Sequence, residues 1–150
     1  MNHSSIKITP LSKTDYELWL ILWQNYLTFY ETSLPSSTTE TTWRNLLNES
    51  VAIYGFGAWR EDVLVGITHV VLHPNTWNTT DCCYLEDLYV ADNVRGQGVG
   101  RALIEYVYSF AKDQDCNRVY WTTQESNAAA RKLYDAIATQ TDMVQYRKDL

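Results

Sequence analysis

Six consecutive residues in this chain are spaced for chemistry on an anion. Arg95-Gly96-Gln97-Gly98-Val99-Gly100 sets three glycines at alternate positions immediately before a helical pattern. Glycine lets the backbone approach a ligand closely, and the first N–H groups of the following helix lack intrahelical partners and sit at the positive end of its dipole. Phosphate oxygens are the expected guests. Two common phosphate loops do not fit: Gly100 is followed by Arg101 rather than by the Lys-Ser/Thr of a P-loop, and Gly96-x-Gly98-x-Gly100 is not the G-x-G-x-x-G of a dinucleotide fingerprint. What remains is R-x-x-G-x-G, which by itself serves equally well as a turn before a helix.

The elements that would position this loop decide between those readings. Tyr84 to Val90 has the composition of a strand, Ala91 to Asn93 that of a turn, and Val99, Leu103, Val107 and Phe110 form an apolar helical stripe opposite Arg101, Glu105, Ser109 and Lys112. The helix ends near Cys116-Asn117, and Arg118 to Thr123 is β-branched and aromatic. A strand, a crossover helix and a second strand place the two strands parallel, with the loop at the carboxyl end of the first. Ligands bind at that end of such sheets.

The chain before the loop reads in order as a strand at Ile6–Leu11, a helix from about Asp15 to Tyr30, and a shorter helix after the proline turn Thr32–Ser37. The boxes Thr14-x-x-Glu17 and Ser37-x-x-Glu40 are expected to start the two helices, with Trp19, Trp23, Tyr26, Leu27 and Tyr30 inward on the first and Trp43, Leu46 and Leu47 on the second. Val51–Trp59 and Val63–Leu72 flank Arg60-Glu61-Asp62 as an antiparallel hairpin, and Gly55 and Gly57 suggest a bend or bulge. His69 and His73 lie four apart on one strand; a metal pair is conceivable, but without a third ligand the structural role is the better expectation. His3 lies in a start expected to be disordered. After the second parallel strand, Ser126–Ala138 reads as a helix capped by Ser126 or Asn127 with Ala130, Leu133, Tyr134 and Ile137 inward, and Met143–Lys148 as a last strand.

Composition narrows the classes. At 150 residues and 45% hydrophobic content the whole of 1–150 is expected to be one domain. Three cysteines without metal spacing and an amino terminus without a signal segment point to a reducing cytoplasm. No apolar run approaches a membrane span. A net charge of −6 argues against nucleic acid and favours a cationic visitor.

The loop and the last helix together carry a family resemblance. Arg95 through Gly100 resembles the pyrophosphate loop of the GNAT superfamily of acetyl-CoA-dependent N-acetyltransferases, and Asn127-x-x-Ala130-x-x-Leu133-Tyr134 resembles its second acetyl-CoA element. Tyr84-Leu85-Glu86-Asp87 and the closing Val144-Gln145-Tyr146-Arg147-Lys148 look like the spermidine/spermine-type enzymes and the subgroup that includes yeast histone- and polyamine-acetylating enzymes. Two departures stand out. The usual Gly-Phe after the last helix is replaced within Ala138–Met143, and Asp115 takes the place of a helix-ending glycine, a position Asp tolerates.

The resemblance implies an α/β fold with a mixed central sheet flanked by helices, and transfer of the acetyl group of acetyl-CoA to a primary amine such as a polyamine or a lysine side chain, in a ternary complex. It implies no metal. An alkyl amine arrives protonated near neutrality and needs a base, for which Glu86 is the candidate, directly or through water. If the strand alternates regularly Asp87 points to the opposite face, either holding a distal ammonium or structural, and Glu31 in the loop after the first helix is a candidate substrate contact. Tyr134 matches the general acid that protonates the departing thiolate. Backbone of Arg95, Gly96, Gln97, Gly98, Val99, Gly100 and Arg101 is implied at the pyrophosphate, backbone of Leu88, Tyr89 and Val90 along the pantetheine arm, with a strand-end N–H near Val90 facing the carbonyl oxygen as it gains charge. Asn127, Ala130 and Tyr134 complete the cofactor set, and Arg101, Arg131 or Lys132 is expected at the 3′-phosphate. A shortened carboxyl edge points to a homodimer or higher homo-oligomer. The competing reading from another class is an acyl-CoA-binding or interaction module without turnover.

Overall fold

The computed structural model describes residues 5–150, so His3 lies outside the described residues. Five strands form one sheet in chain order: β1 (Ile6–Pro10), β2 (Ile53–Arg60), β3 (Val63–His73), β4 (Cys82–Val90) and β5 (Arg118–Tyr120). The first four pair antiparallel and β5 runs parallel to β4. Helices α1 (Tyr16–Phe29) and α2 (Ser36–Leu47) cover one face, and α3 (Val99–Asp113) and α4 (Ala128–Ile137) the other. This is the mixed, layered α/β fold the sequence led us to expect.

Each layer is glued by the stripe its sequence provides. On the α1 side Trp19, Leu22, Trp23, Trp43 and Leu46 close over Ile67 and Tyr89. On the other side Ile104 and Val107 of α3 are fully buried against Phe56, Val70 and Leu85, and Leu103 against Ala58 and Val65, each such burial contributing roughly 1.5–3 kcal/mol. Asp115 ends the α3 region at φ 58, the left-handed conformation anticipated for it.

Several boundaries differ from expectation. The box that begins the α1 region lies two residues earlier, with the Ser12 N–H donating to the Asp15 carboxylate at 2.8 Å, and it opens a short 3-10 turn, Lys13–Asp15, ahead of α1. Helix α2 starts at Ser36, after Pro35, so Ser37 is inside it rather than at its cap. Leu22 is buried on α1 while Tyr30 is half-exposed. Strand β5 has three residues, not six. The last strand expected at Met143–Lys148 does not form: this segment has no regular structure, and Met143, Val144 and Tyr146 are exposed. A strand exists only with a partner to bond, and no described strand lies beside it.

The main difference lies inside β4. Val70 pairs with Leu85 and His69 with Asp87, which leaves Glu86 as the extra residue of a β-bulge. Cys83 and Leu85 belong to the core under α3, whereas Tyr89 belongs to the core under α1. One inserted residue exchanges the faces of everything after it. The regular alternation expected for Glu86 and Asp87 therefore fails, and Asp87 turns toward α1.

Candidate active site

The free edge of β4 and the glycine loop form one continuous surface. Strand β5 pairs with β4 only from Cys82 to Tyr84, so beyond that point no described strand covers this side of β4. The Ala91 N–H bonds the Val65 carbonyl at 2.9 Å and Tyr89 is paired with Ile67, which by antiparallel parity turns the Tyr89 backbone toward β3. Leu88 and Val90 consequently present their N–H and C=O groups to the open side. Of the three residues expected along an extended ligand arm, Tyr89 is thus excluded: its backbone is spent on the sheet and its side chain is buried. The Val90 carbonyl accepts the Arg95 Nε–H at 3.1 Å.

The loop beyond Val90 is open. Gly96 and Gly98 have φ of 78° and 85°, and a Cβ added at either would meet nothing within 4 Å. Gly98 caps α3, whose first N–H groups, those of Val99, Gly100 and Arg101, face outward without helical partners. The Val99 side chain is core, so only its backbone serves the loop. Gly100 lies against Leu133 of α4, which brings the last helix to the loop. These features fit a phosphate-bearing ligand with an extended arm: a cradle of N–H groups leads onto a strand edge that has no strand partner among the described residues.

The charged side chains around the loop are engaged elsewhere. Arg95 stacks over Phe29 and Tyr89, 5.4 Å from each ring centre, and pairs with Asp92 at 3.0 Å, so it braces the loop against α1. Arg60 donates to Gln97 at 2.7 Å. Arg101 pairs with Glu105, and Arg131 bonds the Glu125 carbonyl and Gln140. Asn127 precedes α4 and accepts the Arg131 N–H on its carbonyl, and Ala130 and Lys132 lie on the same helix.

Titratable groups converge where β4, α1 and α4 meet. Glu86 reaches solvent from the bulge, yet the surrounding protein desolvates its carboxyl and Asp87 repels its charge, so its pKa lies above the ordinary value. Tyr134 on α4 packs edge-on to Trp121, and desolvation, with Tyr30 second, raises its pKa. Desolvation and Asp87 raise that of Tyr30 in turn. Tyr134 thus feels Tyr30, Tyr30 feels Asp87, and Glu86 feels its neighbour Asp87, a chain of electrostatic neighbours from α4 to the bulge. Glu31 follows Tyr30 in a left-handed conformation at φ 54 and is exposed at the same helix end.

Asp87 is held from both sides. Its Oδ1 accepts the Tyr26 hydroxyl at 2.7 Å, and its Oδ2 lies 2.9 Å from His69 Nδ1. Of the two roles open to Asp87, this favours the structural one. His69 also takes the Trp19 indole N–H at 3.0 Å, and His73 bonds Tyr120 and the Pro74 carbonyl. The two histidines therefore have separate partners, and among the described residues no group of three or more His, Cys, Asp or Glu is arranged to hold a metal. Sequence reasoning put Trp19 and Tyr26 on the inward face of α1 and gave His69 a structural role, and it missed their bonds, because no local pattern links residues 50 and 61 positions apart. Among the described residues no helix is long and apolar enough to cross a membrane.

Comparison with known proteins gives a consistent result. The model of the acetyltransferase (GNAT) family matches residues 16–137. The chain is 33% identical over 151 aligned residues to the D-amino-acid N-acetyltransferase HPA3 of Saccharomyces cerevisiae, covering 99% of this chain and 94% of that one. It is 36% identical to thialysine N-epsilon-acetyltransferase of Bos taurus over 66 residues, 44% of this chain and 38% of the relative. Among solved structures, the aminoglycoside N-acetyltransferase AAC(6')-Iy in complex with CoA superposes with a TM-score of 0.84 at 20% identity, covering 99% of this chain and 97% of that one. An aminoglycoside acetyltransferase from an uncultured soil metagenomic sample gives 0.82 at 23% identity, over 97% and 96% of the two chains.

Proposed function

This chain belongs to the acetyltransferase (GNAT) family, and we propose that it moves the acetyl group of acetyl-CoA to a small cationic primary amine, of polyamine or lysine type, by direct attack in a ternary complex. N-acetyl transfer from acetyl-CoA is the chemistry of its class. The observation that carries the finer reading is the run of β4 from loop to bulge. A cofactor whose phosphates lie at Gly96–Gly100 and whose arm follows Val90 and Leu88 ends beside Glu86.

In this reading Glu86 takes the proton of the bound ammonium, directly or through water. Its raised pKa brings its basicity closer to the working pH, which favours proton transfer. As the nitrogen bonds the acetyl carbon, the Val90 N–H faces the oxygen that gains charge; the carbon–sulfur bond then breaks, Tyr134 gives its proton to sulfur, and the second proton shed by the nitrogen restores the phenol through solvent. Tyr134 is suited to this because burial keeps its phenol protonated, and no hydrogen bond among the described residues engages its hydroxyl. Glu31, Glu86 and the rings of Tyr26 and Tyr30 supply negative charge and π faces for a cation. The named substrates of the relatives, D-amino acids and thialysine, carry amines and support the same class.

The test is thiol release from acetyl-CoA across spermidine, a lysine-rich peptide, free amino acids of both hands and an aminoglycoside. Saturable release with one class is expected, with Tyr134→Phe lowering kcat on the order of 100-fold while coenzyme A still binds. Cofactor binding with no release across the panel would favour a binding module instead.

We further propose a homo-oligomer in a reducing compartment. The outer edge of the three-residue β5 and the exposed apolar residues Met143, Val144 and Tyr146 support the first, and three free cysteines, Cys83 with its thiol pushed up to about 12, support the second. Truncation after Ala138 should reduce the sedimentation mass to that of a monomer; an unchanged mass would discard the role of this segment.

A further inference from the structure

The bond chain that ends on Asp87 starts in the deepest part of the α1 core. Trp19 is fully buried and its indole can only donate, so His69 Nε2 must accept and carries no proton. His69 Nδ1–H is then the donor to Asp87, and the ring, 2% exposed, is held in one tautomer. The Tyr26 hydroxyl closes the other carboxylate oxygen. His69 and Asp87 are also the facing pair at the step where β3 and β4 slip, so this side-chain bond spans the bulge itself.

We infer that His69 is a positioning residue for the transfer: fixed by Trp19 and bonded to Asp87, it locks the β4 bulge and so sets where Glu86 stands. The inference rests on the reading of Glu86 as the base. A bulge re-aims one side chain, and here the re-aimed side chain is the one that meets the amine. Without the lock the register is free to slip by one residue, which would send Asp87 and Tyr89 to the α3 face. Four groups face the Glu86 carboxyl or its partner: Asp87 from β4, His69 from β3, and Tyr26 and Tyr30 from α1. Asp87 is the anionic one, and it opposes ionisation of Glu86.

The experiment compares full-length Glu86→Gln, His69→Phe, His69→Gln and Asp87→Asn in kcat, KM for acetyl-CoA and the acid limb of the kcat/KM profile, using the best amine of the panel. His69→Phe should lower kcat on the order of 100-fold, the cost of misplacing a reacting group by about an ångström, with KM for acetyl-CoA within about twofold. His69→Gln, which can still accept from Trp19 and donate to Asp87, should restore most of it. The isosteric Asp87→Asn keeps the inference testable if His69→Phe does not fold: its acid limb should move to lower pH and its kcat should fall. A melting temperature that drops while kcat and the limb stay put in Asp87→Asn and in any His69→Phe that folds, with Glu86→Gln inactive, overturns the positioning role and leaves the base in place; so does a His69→Gln no more active than a folded His69→Phe. Wild-type turnover in Glu86→Gln overturns the base and this inference with it.

Discussion

The two ends of the active stretch of β4 are built in opposite ways. At the carboxyl end the loop from Arg95 to Gly100 needs little from the rest of the molecule: two glycines with positive φ, open space where a Cβ would stand, and a helix start. Near the middle, the bulge at Glu86 is flanked by Asp87, whose bonds draw in side chains from β3 and α1 across 18, 50 and 61 positions of sequence. A backbone cradle binds an anion with groups every residue possesses, so local conformational freedom is enough. A base must stand within hydrogen-bond reach of one proton, and that demands fixed side chains around it.

The sharpest break of this contrast is Glu86→Gln. It should lower kcat by about 100-fold to 10,000-fold while leaving acetyl-CoA affinity unchanged in calorimetry, because the loop does not depend on the bulge. A large loss of cofactor affinity in that variant would erase the division. The converse is Gly98→Ala. Forcing an L residue to φ 85 costs about 1–2 kcal/mol, so the loop leaves its binding shape and acetyl-CoA should bind roughly tenfold more weakly. The acid limb of the pH profile should not move.

The smallest effect sharpens the contrast from the stability side. The folded state raises the Glu86 pKa, so this residue contributes stability that is fully present below its unfolded value and lost as pH rises through the folded one. At pH 7 the wild type holds a disfavoured carboxylate. Glu86→Gln should therefore melt slightly higher at pH 7, with the gap closing toward about pH 4. A variant that melts lower at pH 7 would show that Glu86 supports the bulge rather than burdening it.

How far the sequence could be read follows the same division. The loop, the α3 stripe and the left-handed Asp115 were visible because each is a rule about neighbouring residues. Tyr134 was visible through helical spacing from Asn127 and the resemblance that spacing carries. The strand expected at Met143–Lys148 was misread since alternation describes what could pair, not whether a partner is beside it. The expected face of Asp87 held only for a regularly alternating strand, and period-two reasoning cannot see the inserted residue that removes this condition. His69 was expected to be structural rather than one of a metal pair, but its bonds to Trp19 and Asp87 were not legible, because the local sequence of a histidine does not show which distant residues it bonds.

By itself, then, the chain determined the order of its elements, the anion loop and the candidate acid and base, all of which rest on backbone propensity and short spacing. The tertiary structure alone decided that β4 slips at Glu86, that Leu88 and Val90 but not Tyr89 face the open edge, and that Trp19, His69 and Tyr26 hold Asp87. The reason is physical. Register and buried hydrogen bonds are settled by which distant partners can be satisfied at once, and that is a property of the packed whole.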